Sequence, residues 1–163
     1  MRELEIVGVR IELPSNQPLI LLKEVDGPRH LPVWIGAPEA ASIATSLQGI
    51  TPPRPMTHDL LASVIDAAGL VLTGVSIVAV EDAVFYARLH LSNGAEVDAR
   101  TSDAVALMLR TGAPLNCADA VLDEAGVIIG DGGQEERAEP EEAEAQVREF
   151  REFLDDIEPE DFR

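Results

Sequence analysis

The stretch VFYARLHLSNGAEVDARTSDAVALMLRTG, residues 84–112, contains two apolar periodicities in succession. As far as Arg100, apolar and polar residues alternate with a period of two, which is typical of strands that bury one face. From Ser102 onwards apolar residues cover nearly every side of a helix, which is typical of a buried helix. The stretch therefore predicts a β-hairpin and then a buried helix capped by Thr101 or Ser102, within an α+β fold.

The turn of this hairpin fixes which residues face each other. A three-residue Ser-Asn-Gly loop, with Gly94 in the left-handed conformation, keeps the apolar residues of both arms on one face. A two-residue turn would oppose an apolar residue to an acidic one and mix the faces. The register that follows places Arg88 opposite Asp98, and His90 opposite Glu96.

The residues before the hairpin predict a similar order of elements. Four further strands are expected at residues 4–13, 19–25, 31–36 and 70–80. After the third strand an apolar helix runs from Ala37 to Gly49, with Glu39 suited to its first turn. We expect mostly antiparallel strands, and we expect both apolar helices, residues 38–48 and 102–111, to be buried.

Short sequence matches link the two halves of the chain. GVRI at residues 8–11 matches GVSI at 74–77, and PEAASIA at 38–44 is similar to SDAVALM at 102–108. The two offsets, 66 and 64, agree to within two residues. An internal duplication of a strand–strand–strand–helix unit is therefore predicted.

Another helix is predicted to begin in the proline-rich block PPRPMTHDL, residues 52–60. Thr57 is in position to cap this helix, and Gly69 is in position to end it. Its apolar residues form one stripe, made of Leu60, Leu61, Val64, Ile65 and Ala68. The block also brings Arg54, His58 and Asp59 within six positions, so this helix start is a candidate site.

Composition divides the chain into a body, residues 1–130, and a tail, residues 131–163. The tail holds 14 acidic and 4 basic residues, and we interpret it as an acidic linker with a C-terminal amphipathic helix. The apolar stripe of that helix is Val147, Phe150, Leu154 and Ile157, which can dock on the body or on a partner protein. The body holds the other 16 acidic and 8 basic residues. This balance argues against general nucleic-acid binding, because non-specific affinity comes from Lys and Arg.

The sequence favours a cytoplasmic protein without a membrane segment. Cys117 is the single cysteine, so no intramolecular disulfide is expected and a reducing compartment is indicated. The longest apolar stretch, AAGLVLTGVSIVAV, has 14 residues and is too short to span a bilayer.

Polar residues gather at the starts of the helices and on the hairpin. They are Glu39, Arg54, His58, Asp59, Asp98, Arg100, Ser102, Asp103 and Arg110. Singly, each has a structural explanation as a helix cap, a helix-dipole partner or half of a cross-strand pair. Jointly, they can hold a divalent cation, meet a phosphate and move a proton. Three scattered histidines and one cysteine have no zinc-ligand spacing.

Two blocks carry a family resemblance. LPVWIGAPEAASIATSLQGITPPRPMTHDLL at 31–61 and VDARTSDAVALMLRTGAPL at 97–115 resemble the bifunctional nuclease domain family. The resemblance covers about residues 1–130, and its specific part is the pairing of PRP-x-THDL with D-x-R-x-SDA-x-AL. It implies a compact α+β domain that forms homo-oligomers and, as for plant members, DNase and RNase activity.

We assign roles to the motif residues by their chemistry. The catalytic candidates are His58, Asp59, Asp98 and Asp103. The substrate-binding candidates are Arg54, Arg100, Ser102 and Arg110. The candidate ligands of a divalent cation, Mg²⁺ or Mn²⁺, are Glu39, Asp98 and Asp103.

Two hypotheses of different classes follow. The first is a metal-dependent nuclease that cleaves phosphodiester bonds of single-stranded DNA or RNA, where the cation supplies positive charge that the surface lacks. The second is a non-catalytic, oligomeric regulatory or interaction protein that binds a small anion in the polar cleft and a partner through its acidic tail. Motif arginines favour an anion site under both hypotheses.

Overall fold

The computed structural model describes residues 1–129, and the tail predictions for residues 131–163 lie outside this part. The strands of this part are β1 (Arg2–Glu12), β2 (Gln17–Glu24), β3 (Arg29–Trp34), β4 (Leu72–Glu81), β5 (Val84–Leu91), β6 (Glu96–Arg100), β7 (Leu115–Cys117) and β8 (Val127–Ile128). Its helices are α1 (Ala37–Leu47), α2 (Thr57–Ala67), α3 (Thr101–Thr111) and α4 (Asp119–Ala125). Strands and helices are not in strict alternation, and the predicted α+β class is confirmed.

The strands form one sheet in the order β6-β5-β4-β7-β1-β2-β3-β8. All neighbouring strands are antiparallel except β4 and β7, which are parallel. The short strand β7 therefore joins two antiparallel meanders, β1-β2-β3 and β4-β5-β6, whose orders mirror each other across it. This topology confirms the expectation of mostly antiparallel strands.

The two meanders continue into equivalent helices. The bounds of α1 and α3 are 64 positions apart at both ends. In the first strand of each meander the pairing shifts by one residue immediately before a glycine, at Gly8 in β1 and at Gly74 in β4. A repeated βββα unit is therefore present in the fold, as the short sequence matches predicted.

The core is aliphatic and lies between the sheet and its helices. Its fully buried side chains include Ile20, Leu22, Leu31, Ile43, Val75, Ile77, Val105 and Leu107. Helix α3 is buried over its first two turns, whereas α1 buries one face through Ala40 and Ile43 and leaves Leu47 exposed. Cys117 is also fully buried, and burial raises the pKa of its thiol to about 12. No helix among residues 1–129 has both the length and the apolar character to cross a membrane.

The hairpin has the predicted register. Arg88 pairs with Asp98 and His90 with Glu96, and Gly94 in the loop has a φ of 83°. The left-handed conformation at this position lets the loop close without moving apolar residues to the wrong face.

Two helix caps differ from the prediction. Helix α2 begins at Thr57 itself, so Met56 is the N-cap residue, and the carboxylate of Asp59 accepts the Met56 N–H at 2.9 Å. Helix α3 begins at Thr101 with Arg100 as its N-cap residue and no side-chain cap, and the Thr101 hydroxyl donates to the Phe85 carbonyl at 3.3 Å. In both helices the predicted capping residues lie inside the first turn, because each helix begins earlier than the sequence indicated.

Helix α2 packs mainly against α3 and buries no residue fully. The stripe predicted for it is on the helix, but much of the stripe is open to solvent: Leu60 is 57% exposed and Val64 54%. An exposed apolar stripe on a helix is typical of a surface that contacts another chain.

Candidate functional site

Arg100, the residue before α3, ties the first turns of two helices together. Its Nε donates to Asp103 Oδ2 at 2.7 Å, and its Nη2 donates to Asp103 Oδ1 and to Glu39 Oε1, both at 3.0 Å. Glu39 is the third residue of α1 and Asp103 the third residue of α3, so the duplicated unit supplies both carboxylates. Nη1 of Arg100 makes no hydrogen bond to another of residues 1–129, and the side chain is 65% exposed.

His58, in the first turn of α2, lies between two other helices. Its Nε2 is 2.8 Å from Asp103 Oδ1, and its Nδ1 is 2.8 Å from Ser42 Oγ in α1. An ionised carboxylate only accepts hydrogen bonds, so Nε2 carries the proton and Nδ1 accepts from the Ser42 hydroxyl. The imidazole is thus held at both nitrogens, with a side chain that is 12% exposed.

Arg110 closes the network from the far end of α3. Its Nη2 donates to Ser42 Oγ at 3.1 Å, and its Nε donates to Asp59 Oδ1 at 2.6 Å. Asp59 also holds the start of α2, so the same carboxylate positions the turn that carries His58. We call the whole network the His58 cluster, which consists of Glu39, Ser42, His58, Asp59, Arg100, Asp103 and Arg110.

Two carboxyl groups of the cluster are ionised at neutral pH. Burial raises the pKa of Asp103, but the hydrogen bonds from Arg100 and His58 outweigh this effect and hold the pKa below its usual value. The hydrogen bond from Arg110, followed by that from the Met56 N–H, lowers the pKa of Asp59. Ionised Asp103 fixes the tautomer of His58 and can stabilise an imidazolium.

Two cavities meet at His58. The larger, which we call the cleft, has a volume of about 610 Å³ between α2 and the hairpin, and it is lined by aliphatic residues such as Leu61 and Val97. The smaller, which we call the recess, has a volume of about 200 Å³ and is lined by Glu39, Ser42 and other residues. His58, Arg100 and Asp103 line both the cleft and the recess. A ligand that fills the cleft therefore ends at the imidazole and the guanidinium.

Three candidate residues lie apart from the network. Arg54 is exposed and makes no side-chain hydrogen bond or ion pair with another of residues 1–129. Asp98 lines the cleft, but its side chain is 69% exposed and its nearest ionic partner is Arg88, at 4.0 Å. Ser102 is buried and lines a different cavity, on the other side of Arg100.

The cation ligands assigned from sequence do not converge as a set. Glu39 and Asp103 are close because Arg100 lies between them, and its guanidinium already forms ion pairs with both carboxylates. Asp98 makes no hydrogen bond to either. Within residues 1–129, no group of three or more His, Cys, Asp or Glu side chains has an arrangement suited to a metal ion. The site as folded does not fit a divalent cation.

Sequence reasoning missed Ser42. The residue is 4% exposed on the buried face of an otherwise apolar helix, and it connects His58 to Arg110. A signal was present in the sequence, because a serine at a core position needs a hydrogen-bond partner. Ser42 also follows Glu39 by three positions, which places both side chains on one side of α1.

Comparison with known proteins gives one family and two close relatives. The family model described as "Bifunctional nuclease domain" matches residues 20–130. Two proteins of Mycobacterium tuberculosis, one from strain CDC 1551 / Oshkosh and one from strain ATCC 25618 / H37Rv, are each 47% identical to this chain over 163 residues. The alignments cover 100% of this chain and 99% of each relative, and both relatives are named as uncharacterized proteins.

Proposed function

Because the chain belongs to the bifunctional nuclease domain family, we propose that it is a nuclease that cleaves phosphodiester bonds at the His58 cluster. The observation that carries the proposal is the imidazole of His58, held between Ser42 and Asp103 where the cleft and the recess meet. A histidine fixed at both nitrogens beside an exposed guanidinium is suited to proton transfer next to a phosphate.

His58 acts as the proton-transfer group. Its acceptor nitrogen is Nδ1, which accepts a hydrogen bond from the Ser42 hydroxyl. A water or a ribose hydroxyl that attacks phosphorus therefore passes its proton to Ser42, which gives its own proton to His58 while it takes the incoming one. Asp103 stabilises the imidazolium, which then returns the proton to the leaving oxygen.

Arg100 receives the phosphate. Three of its hydrogen bonds to Asp103 and Glu39 use Nε and Nη2, which leaves the two N–H groups of Nη1 for a ligand oxygen. A guanidinium that is already anchored loses little freedom when it binds an anion. The acidic body favours short or single-stranded substrates, since duplex binding needs many cationic contacts.

A cleavage assay tests this proposal. The full-length protein is incubated with single-stranded DNA and single-stranded RNA in Mg²⁺, in Mn²⁺ and in a chelator. We expect cleavage of at least one substrate. Activity that survives chelation agrees with the geometry, whereas activity restored only by Mg²⁺ or Mn²⁺ would make a cation part of the reaction and contradict a site that works without one. Intact strands under every condition would remove the proposal.

The second candidate function is a non-catalytic oligomer that binds a small anion. Every acidic group of the His58 cluster is already bonded to an arginine or a histidine, as in a structural network. The exposed stripe of α2 supplies a surface for a second copy of the chain. The tail, as the sequence predicts, would then serve a partner protein.

Self-association through α2 is testable whichever function holds. Light scattering should give a multiple of the 17.5 kDa chain mass at micromolar concentration. Leu60→Glu places a charge in the exposed stripe and should return the monomer mass, whereas the matched surface change Val84→Glu, on the hairpin, should not. A monomeric wild type would contradict the expectation.

A further inference from the structure

A third cavity lies on the other side of Arg100, and we call it the Ser102 pocket. It has a volume of about 350 Å³ and is lined by Trp34, Gly36, Phe85, Arg100 and Ser102, among others. Arg100 is the charged residue of this lining, and neither Glu39 nor Asp103 is part of it. A lining whose charged residue is an arginine favours an anion over a cation.

Ser102 is a polar side chain with nothing to bind within the described chain. The residue is 7% exposed, and its hydroxyl makes no hydrogen bond to another of residues 1–129. Among residues 1–129, every side-chain nitrogen or oxygen that is fully buried has a hydrogen-bond partner. A hydroxyl without a partner must therefore be accessible to solvent. The Ser102 hydroxyl is therefore open to the pocket that the residue lines. A buried hydroxyl without a protein partner is a ready donor to a ligand.

Two helices of eleven residues begin at this pocket without a side-chain cap. Gly36 precedes α1 and Arg100 precedes α3, and neither residue makes a side-chain capping bond. The first backbone N–H groups of a helix have no partner inside the helix, and they carry the positive end of its dipole. The start of α3 favours a phosphate, whereas the first turn of α1 contains Pro38, which lacks an N–H, and has the Glu39 carboxylate beside Gly36.

The indole of Trp34 gives the Ser102 pocket an aromatic face. Its side chain lines the pocket and the residue is 42% exposed, while its indole N–H donates to Glu12 Oε2 at 2.8 Å and so fixes the ring. An indole face held in this way can stack on a nucleobase.

We propose that the Ser102 pocket binds one nucleotide unit of the substrate, with its phosphate on Ser102, Arg100 and the start of α3 and its base on Trp34. The inference rests on the proposed nuclease function. It adds a position for the nucleotide next to the cleaved bond, because Arg100 lines the cleft, the recess and the Ser102 pocket.

Trp34 also supplies the measurement, since the chain has one tryptophan. The full-length protein is titrated with adenosine 5′-monophosphate in chelator while tryptophan fluorescence is recorded. We expect saturable quenching that inorganic phosphate competes away, and much weaker quenching by adenosine. Ser102→Ala should weaken the affinity roughly 10-fold, because a hydrogen bond to a charged group is lost. Removal of a hydroxyl without a protein partner should leave the melting temperature unchanged.

Two further variants sharpen the test. Ser102→Asp should abolish quenching by placing a carboxylate where the phosphate would bind. Ser76→Ala, which truncates another buried serine outside the pocket, should leave the affinity unchanged. Absence of quenching, equal affinity for adenosine and its monophosphate, or unchanged affinity in Ser102→Ala would overturn the inference. Quenching without cleavage of any strand would keep the pocket and remove the nuclease proposal.

Discussion

Two triads, each made of a serine, a histidine and a carboxylate side chain, occur in the described part of this protein. In the first, His58 is 2.8 Å from both Ser42 Oγ and Asp103 Oδ1. In the second, His90 Nε2 is 2.8 Å from Ser76 Oγ, and His90 Nδ1 is 3.3 Å from Glu96 Oε1. The distances between their side chains alone would give both triads the same function.

Their surroundings differ. The first triad joins three helices, and its carboxylate binds Arg100 where the cleft and the recess meet. The second joins the neighbouring strands β4, β5 and β6, and its carboxylate is 59% exposed. None of its members lines the cleft, the recess or the Ser102 pocket. The comparison teaches that a cavity and a guanidinium, rather than the three residue types, distinguish a candidate site from a sheet contact.

Replacing each of the two histidines in a separate variant should give the largest difference in cleavage rate. His58→Ala should lower cleavage by about 10²–10⁴-fold, as expected for a lost proton-transfer group. His90→Ala is the matched control, with the same change on the sheet, and should cleave at the wild-type rate. Rates are compared on single-stranded substrate beside melting curves. Equal losses in both variants would break the distinction.

The two serines give a smaller contrast. Ser42→Ala removes the hydroxyl that binds His58 Nδ1 and passes it the proton, and should lower kcat by up to about tenfold while KM stays constant. It should also move the pH profile of kcat, because the acceptor nitrogen Nδ1 loses its donor. Ser76→Ala should change neither quantity. A Ser42→Ala variant with a wild-type pH profile would show that the hydroxyl has only a structural role.

The smallest contrast concerns acid stability. The pKa of Asp103 is lowered in the folded state, so its contribution to stability is present above the unfolded pKa of about 3.9 and is lost as pH falls through the folded value. Asp103→Asn should therefore flatten the fall in melting temperature between neutral pH and pH 3. Glu96→Gln, in the second triad, is the control and should leave the slope of melting temperature against pH unchanged. A slope that is the same for wild type and Asp103→Asn would contradict the assignment.

The sequence predicted what depends on local periodicity. Alternation and the Ser-Asn-Gly loop were sufficient for the hairpin register, including the pairing of Arg88 with Asp98. The duplicated order of elements also followed, because the offsets of 66 and 64 reflect equivalent strands and helices. The hairpin register is decided within a few residues of the chain, and the duplication shows as similar local patterns at two places.

The site could be predicted only in part, because it depends on tertiary packing. Arg54 is in the same block as His58 but points to no described partner, while Ser42 comes from another helix and completes the network. The metal ligands failed to converge because Arg100 separates two of them and Asp98 lies toward Arg88. The sequence correctly placed carboxylates in the first turns of the helices. It could not show which side chains they would bind across the contact between α1 and α3, because that contact forms only on folding.

Chemical rescue of a His58→Gly variant tests the central claim most directly. Cleavage of single-stranded substrate is measured with and without added imidazole, beside wild type and His90→Gly. We predict that His58→Gly is inactive alone and regains part of the wild-type rate as imidazole enters the vacated space, while the other two proteins do not respond. A His58→Gly protein that cleaves at the wild-type rate without imidazole would show that the His58 cluster is not the catalytic site.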